Sequence, residues 1–473
     1  MILTIAIKEW KVMLRNPLLT RCLAAFALLF VLVTLLGAWN YRRALSSAET
    51  LNKEFVRQWV DQGKKTPHAA ALWGTPFVAV PPALVIYDPG VWPFVGEYSE
   101  VRANDWTLFR GAPASSATPL ERYAEMTPVW LLQYLLPLLA IMLSYQMVAA
   151  ERDLGTARNL AALGIHPLTL LMGKAAAALA VLAAFAASLF LIVLVIVVLA
   201  GGWYADLLPA LALHAALAFL FSGTFVALSL ACSFVTSNGR TAAAASLALW
   251  VLISFVIPGW ITDRARMERL GPSRVELDRV VALDIERGAG EFPSLDERRE
   301  ATLQTLLTTL GHGRRENLPI DFGLFLLMEE DEVTGLMADR RLAAPFEVFR
   351  VQDDWRRGLD TISPLTAWRV VSPVMSGTDY LDRVQMLEGL ERHRRRFVRI
   401  LNRQHSASIL RKQETVADRR LWSTVVPFSA NEARPLLNMA AHQRELLILI
   451  LWFLGAAMLA VGAAFWNSRQ ESV

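Results

Sequence analysis

Apolar and polar stretches alternate along the chain in long blocks. Six blocks, residues 22–39, 129–150, 175–200, 207–234, 242–258 and 446–466, are almost free of charge. A helix rising 1.5 Å per residue needs about 20 such residues to cross a bilayer, so each block predicts a membrane span. Between them lie a polar segment at 40–127 and a larger one at 259–444, with a short tail at 467–473. The pattern predicts an all-α membrane protein: a six-span bundle carrying a mainly helical domain, with some β structure, built from the two large insertions. In the first insertion, Leu51–Val60 reads as helix, Ala83–Tyr87 as a short strand and Asp88-Pro89-Gly90 as a turn. In the second, Ser294-Leu-Asp-Glu297 is a capping box, and Thr378 or Asp379 caps a long helix carrying Leu381, Val384, Leu387, Phe397 and Leu401 on one side.

Two shorter stretches complete the pattern. Residues 1–21 open with an amphipathic helix, Leu3, Ala6, Trp10 and Met13 on one face and Lys8, Lys11 and Arg15 on the other. Such a helix lies in the interface plane, and Asn16-Pro17 ends it. Residues 151–174, ERDLGTARNLAALGIHPLTLLMGK, form a polar, helix-compatible island between spans two and three. A stretch this short between two spans sits at one membrane face, where whatever touches it pushes on both helices.

A mean hydropathy of +0.37 fits this membrane reading, and a net charge of +4 suits loops near anionic lipid better than nucleic acid. The first apolar run ends in Gly37-Ala38-Trp39-Asn40 without a clean cleavage site, so it reads as a retained span. Short-loop charge sets the orientation. Lys8, Lys11, Arg15, Arg21, Arg152, Arg158, Lys174, Arg240 and Arg469 share one side, whereas the short loop 201–206 opposite carries no Lys or Arg. Arg42 and Arg43 count against this. The charged side is expected to be cytoplasmic, holding both termini, and both insertions to be extracytoplasmic.

The polar segments contain no cysteine, since Cys22 and Cys232 fall at or inside spans, and the seven histidines show no HxxxH or HExxH spacing. No metal site is expected. Gly63-Lys64-Lys65-Thr66 lacks the upstream glycine of a phosphate loop, and Gly173-Lys174 is followed by alanine, so the chain is not expected to hydrolyse ATP. No GxSxG elbow occurs, and Glu329–Glu332 reads as a solvated face. The basic run Arg392–Arg396 lies in a segment of balanced charge and reads as a helix face with ion pairs inside the domain. Among polar groups at membrane depth, Gln133 and Gln146 lie near span ends. His214 lies deeper, where a helix-to-helix hydrogen bond and a substrate contact are both open.

The island resembles ABC-2-type permeases, the membrane halves of ATP-driven exporters. Glu151-Arg152, Gly155-Thr156, Leu160, Gly164, Pro167 and Gly173-Lys174 follow that family's ERE-x-GT … L … G-x-x-P … GK pattern, with Asp153 in place of the second Glu. Pro67-His68-Ala69-Ala70, Gly74, Asp88-Pro89-Gly90-Val91 and Gly96 resemble the first outer segment of a subgroup with two large extracytoplasmic segments. Ser363-Pro364 and Gly377-Thr378-Asp379 resemble the second, and residues 311–339 have no counterpart. The resemblance implies a bacterial inner-membrane permease that is not itself an enzyme. It binds no cofactor, ATP and Mg belonging to a dimeric ABC ATPase partner, and it pairs with a second permease, identical or homologous. Contact with membrane lipid and a periplasmic partner fit the same layout; nucleic acid does not. Glu151, Arg152, Gly155, Thr156, Leu160, Gly164, Pro167, Gly173 and Lys174 would then form the ATPase-coupling helix, Gly155 by close backbone approach and Thr156 by capping the helix after it. Lys8, Trp10, Lys11 and Arg15 would anchor the interfacial helix beside it. Export driven by the ATPase is the expected function. The alternative is mechanotransmission, in which the outer domains act on a periplasmic partner and nothing is transported.

Overall fold

The computed structural model describes residues 1–103, 109–113, 126–156, 159, 162–268, 274–288, 292–318, scattered positions from 322 to 352, 354–410, 416–425, 428 and 442–471. Helices dominate. A 14-residue α1 (Ile2–Arg15) is followed at once by α2 (Pro17–Val60), with Asn16 capping α2 by accepting from the Leu18 and Leu19 N–H groups. The first insertion continues with α3 (Pro67–Trp73), β1 (Thr75–Val78) and β2 (Tyr98–Val101), the strands pairing antiparallel with Thr75 opposite Val101. The bundle then runs through α4 (Pro128–Ser144), the one-turn α5 (Ala149–Asp153), α6 (Pro167–Leu199), α7 (Leu207–Val235), α8 (Gly239–Val251) and α9 (Ile257–Glu268). The second insertion supplies α10 (Arg274–Arg287), α11 (Leu295–Leu310), α12 (Pro364–Ser376), α13 (Tyr380–Leu410) and α14 (Arg419–Thr424). Finally α15 (Gln443–Glu471) closes the chain.

Six of these helical stretches are long and apolar enough to cross a membrane, beginning at Pro17, Pro128, Pro167, Leu207, Gly239 and Gln443. Spans two and four are mostly buried and form the centre; spans one, five and six expose most of their surface, as lipid-facing helices do. The fifth span bends through a single π-turn at Leu252–Val256 just before Pro258, joining α8 to α9. Its first helix is capped by Asn238, which accepts from the Thr241 N–H.

Three findings depart from the sequence pattern. Span one does not stop near residue 39: α2 continues unbroken to Val60, where Trp59 packs on Phe397 and Trp422 and donates to the Trp422 carbonyl at 3.1 Å. A 44-residue rod therefore links the bundle to the domain that the two insertions build. Ala83–Ile86 is a 3₁₀ turn, not a strand, because Pro82 starts a tight turn that tucks Leu84, Ile86 and Tyr87 into the bundle core. The largest departure is α12. It belongs to a polar insertion, yet Leu365, Ala367, Trp368, Val371 and Met375 are fully buried among the spans. Trp368 stacks edge-on against Phe221, midway along α7, with ring centroids 5.1 Å apart. The Ser363 hydroxyl caps α12 and also donates to the Ile253 carbonyl inside the π-turn of span five, at 3.1 Å. The Trp452 indole in span six donates to Thr361 at 2.9 Å. Thus α12 re-enters the bundle.

Contacts sort the loops onto two faces. On one, the island meets α1 and the turn at 236–240. On the other, Gly202 sits against Ala83, and both insertions meet. The Ser294 capping box forms as expected. Asp379, not Thr378, caps α13, accepting from Leu381 and Asp382 N–H groups. On α13, Leu390, Phe397, Val398 and Leu401 are buried, whereas Leu381 is exposed.

Candidate functional site

The island face is organised by Lys174. His166 caps α6 through its Nδ1, accepting from the Leu168 N–H at 3.3 Å, and Pro167 occupies the first turn, where a missing N–H costs nothing. Two turns on, Gly173 lets α1 lie directly against α6. A Cβ there would meet Ile5 side-chain atoms at 2.7 Å and the Ile2 carbonyl at 3.1 Å. Beside this contact the Lys174 side chain is 1% exposed. Its ammonium donates to Glu9 at 2.9 Å, to Glu151 at 2.8 Å and to the Met147 carbonyl at 2.6 Å, which uses all three protons. Lys8 closes the group, 2.9 Å from Glu9 and 3.9 Å from Glu151. Two cations thus face two carboxylates, and the neutral sum, with Lys8 at the exposed edge, is what makes burying Lys174, Glu9 and Glu151 tolerable. Burial works to raise the Glu9 pKa, but the ammonium of Lys174, with Lys8 behind it, outweighs that and holds it below the ordinary 4.5.

The next two residues of the island point elsewhere. The Arg152 guanidinium donates to the Phe234 and Thr236 carbonyls at the end of α7, and the Asp153 carboxylate accepts from the Gly239 N–H that starts α8, at 3.2 Å. Each charge complements the helix terminus it meets, a cation at the C-terminus and an anion at the N-terminus. Ser233, also on α7, accepts from the Val148 and Ala149 N–H groups at 3.1 and 3.0 Å and so caps α5. Glu151, Arg152 and Asp153 therefore join three different helices, and Glu9 brings in α1.

Beyond Asp153 the chain turns outward. The island is not one continuous helix: Gly155 (φ +72°) and Gly164 (φ +69°) break it, residues 156, 159 and 162 between them are helical, and residues 167–174 already belong to α6. Leu160 lies outside the described residues. Gly155 serves its backbone conformation and not a close approach within the chain, since a Cβ there would meet nothing within 4 Å. The Thr156 hydroxyl donates back to the Glu151 carbonyl at 3.1 Å, and residues 157–158, where a cap on the following helix would act, lie outside the described residues. Leu154 and Leu163, 77% and 75% exposed, flank this loop as bare apolar side chains. On α1, Lys8 enters the ionic group while Trp10, Lys11 and Arg15 stay exposed. The inward stripe is Ala6, Glu9 and Met13, with Leu3 and Trp10 turned away from the bundle. Glu9 escaped the sequence reading, although its position four residues from Met13 on an apolar stripe called for a buried cation.

At the opposite face the motifs noted in the two insertions dock on each other. Gly90 donates to the Asp88 carboxylate at 3.0 Å in an Asx turn, Thr378 donates to the Asp88 carbonyl at 3.0 Å, and Val91 donates to the Thr378 carbonyl at 2.9 Å. Ser372 of α12 donates to Asp88 at 2.5 Å. Burial raises the Asp88 pKa, with Ser372, the Gly90 N–H and Arg369 pulling against it. Arg369 also donates to the Tyr134 hydroxyl in span two. His214 joins the same buried surface: one ring nitrogen lies 2.8 Å from the Ala210 carbonyl, the other 3.3 Å from Ser376, and Tyr87 stacks edge-on at 4.7 Å. His214 makes the helix-to-helix contact. The basic run on α13 is partly internal: Arg394 is buried against Asp331 at 3.1 Å and Glu391 at 2.8 Å, so only part of that run is a solvated face.

Comparison with known families covers both halves of the chain. The family described as ABC-2 family transporter protein matches residues 3–288, more than half of the sequence. A domain of unknown function, DUF3526, matches residues 282–431, and so covers residues 311–339, which had no counterpart by motif. No curated protein matches.

Proposed function

Because the chain belongs to the ABC-2 transporter family, we propose that it is the membrane permease of an ABC system and that the island face is where its separate ATPase docks. The observation that carries this reading is the junction around Lys174 and Arg152. It fastens α1 and spans three, four and five to a stretch of three residues, next to a loop that presents Leu154 and Leu163 to the outside. A push on that loop is delivered to several spans together, the rigid-body coupling that lever action needs. In this reading the island face is cytoplasmic, the membrane is the bacterial inner membrane, both insertions are periplasmic, and two permease chains accompany an ATPase dimer in which ATP and Mg reside. The cycle exports a substrate. Reconstituting the chain with its ATPase in vesicles tests this: solute accumulation that depends on ATP supports export, whereas ATPase activity indifferent to the permease counts against docking.

The mechanotransmission reading keeps a specific observation of its own. The unbroken α2 rod reaches from Asn16, beside α1, to Trp59 in the outer core, and α12 ties the second insertion to spans four, five and six. Motion of the bundle would carry the outer domain with it. The same vesicles separate the readings, because a mechanotransmitter couples ATP hydrolysis to outer-domain movement with no solute moved.

A further inference from the structure

The α2 rod leaves the apolar run at Trp39, and the face it presents over the next three turns lines a cleft of about 290 Å³. Asn40, Arg43 and Ser47 form the helix wall; Pro81, Trp92 and Glu97 form the wall opposite. The cleft lies on the face away from the island, starting one residue beyond the apolar run, at headgroup height. Its volume sits at the small end of ligand pockets and it is lined by polar and apolar groups together, as an amphiphile requires. Arg43 folds back so that its guanidinium lies 5.7 Å from the Trp39 ring centroid, toward the membrane surface. Glu97 is fixed by its backbone, donating to the Arg110 carbonyl and accepting from the Ala79 N–H, both at 2.8 Å. Its carboxylate accepts no hydrogen bond among the described residues. The nearby Arg383 donates to the Gly96 carbonyl at 2.6 Å and lies over the rings of Trp92 and Phe109, and its charge also acts on the Glu97 carboxylate without a hydrogen bond to it.

A cation and a carboxylate on facing walls, Arg43 beside the Trp39 ring and Glu97 near Arg383 but with no hydrogen bond to its carboxylate among the described residues, match a headgroup that carries the two opposite charges. We propose that this cleft binds an amine-bearing phospholipid of the leaflet opposite the island, its phosphate on Arg43 and its ammonium on Glu97, with its chains alongside span one. Guanidinium is the side chain that best pairs phosphate oxygens, and Asn40 and Ser47 add neutral hydrogen-bonding groups along the same wall.

The test uses the full-length chain in detergent, titrated with dioleoylphosphatidylethanolamine or dioleoylphosphatidylglycerol, with bound molecules counted by native mass spectrometry. The ethanolamine lipid is expected to bind more tightly. Arg43→Ala should weaken both lipids roughly tenfold, as loss of a charge-assisted hydrogen bond does. Glu97→Gln should erase the preference while leaving the glycerol lipid bound, which also shows that the variant is folded. Arg42→Ala, an exposed arginine next in sequence that does not line the cleft, should change nothing. The proposal is overturned if the glycerol lipid binds as well as the ethanolamine lipid, or if Arg42→Ala matches Arg43→Ala. Displacement of the lipid by an equal concentration of soluble glycerophosphoethanolamine would equally overturn it, by assigning the cleft to a free phosphodiester.

Discussion

The two faces of the bundle are held together by different chemistry. At the island face the contacts are few and ionic: Lys174 between Glu9 and Glu151, Arg152 and Asp153 on helix ends. Beyond them, Gly155 and Gly164 sit in open space. At the opposite face the contacts are hydroxyls on backbone and glycines under compression. A Cβ on Gly90 would lie 2.5 Å from the Thr378 carbonyl, one on Gly74 2.1 Å from that of Val101, and one on Gly96 2.3 Å from the Arg110 nitrogen. One face is a clamp with a bare loop, the other a packed joint. The difference separates what fastens the spans from what is left exposed, and under the proposed docking it says where a substitution should act through the fold and where it should act through a partner.

The largest effect is expected at the clamp. Lys174→Met keeps the length of the side chain but leaves two carboxylates facing each other with only Lys8 nearby. Breaking a buried pair by removing one partner costs about 3–5 kcal/mol. Chemical unfolding of the detergent-purified variant should show that loss, and hydrogen exchange should show α1 released. Adding Glu9→Gln and Glu151→Gln should restore much of the stability, and a Lys174→Met protein as stable as the parent would mean that the buried charges do not hold the clamp.

A smaller loss belongs to the packed joint. Gly90→Ala adds a Cβ at φ +50° against the Thr378 backbone, which costs about 1–3 kcal/mol through strain and displacement. It should loosen the outer insertions, seen as faster protease cleavage there, while α1 stays protected. Gly63→Ala, also at positive φ but with nothing within 4 Å, supplies the control; equal cleavage of the two variants would deny that the joint depends on close approach.

Most of the fold was legible in the apolar blocks, because bilayer thickness imposes a length that composition reveals. The charges of the island were legible too, since Glu151, Arg152 and Lys174 stand beside apolar runs. Their partners were not: Glu9 and Lys174 are 165 residues apart, and local periodicity cannot report a pairing at that distance. The helix α12 hid for another reason. With 13 residues, Arg369 and an internal Pro373, it is too short and too polar in places to register as a membrane element, and only tertiary contacts place it inside the bundle. The docking of Asp88-Pro89-Gly90 on Thr378 was likewise invisible, although both motifs had been singled out separately.

Acid should weaken the clamp through Glu9. The folded pKa of Glu9 is lowered, so its contribution to stability is complete above the ordinary 4.5 and is lost as pH falls through the lower folded value. Unfolding measured from neutral pH downward should show the parent losing stability below pH 4.5 relative to Glu9→Gln, which carries no proton-linked group at that position. Parallel profiles would mean that the carboxylate is not held by Lys174 and Lys8 in solution.

The smallest structural effect sharpens the contrast most. Gly155 adopts φ +72° with no atom within 4 Å of a built Cβ, so alanine and tryptophan there pay the same backbone penalty, about 1–2 kcal/mol for a left-handed residue. The Cβ of either meets nothing within 4 Å, and their unfolding curves should coincide. Any difference between them in stimulating the partner ATPase must then arise from a surface the chain does not itself contain. We expect Gly155→Ala to keep most of the stimulation and Gly155→Trp to lose it. Equal stimulation by both would leave the bare loop without a docked partner, and the clamp behind it would be a structural tie alone.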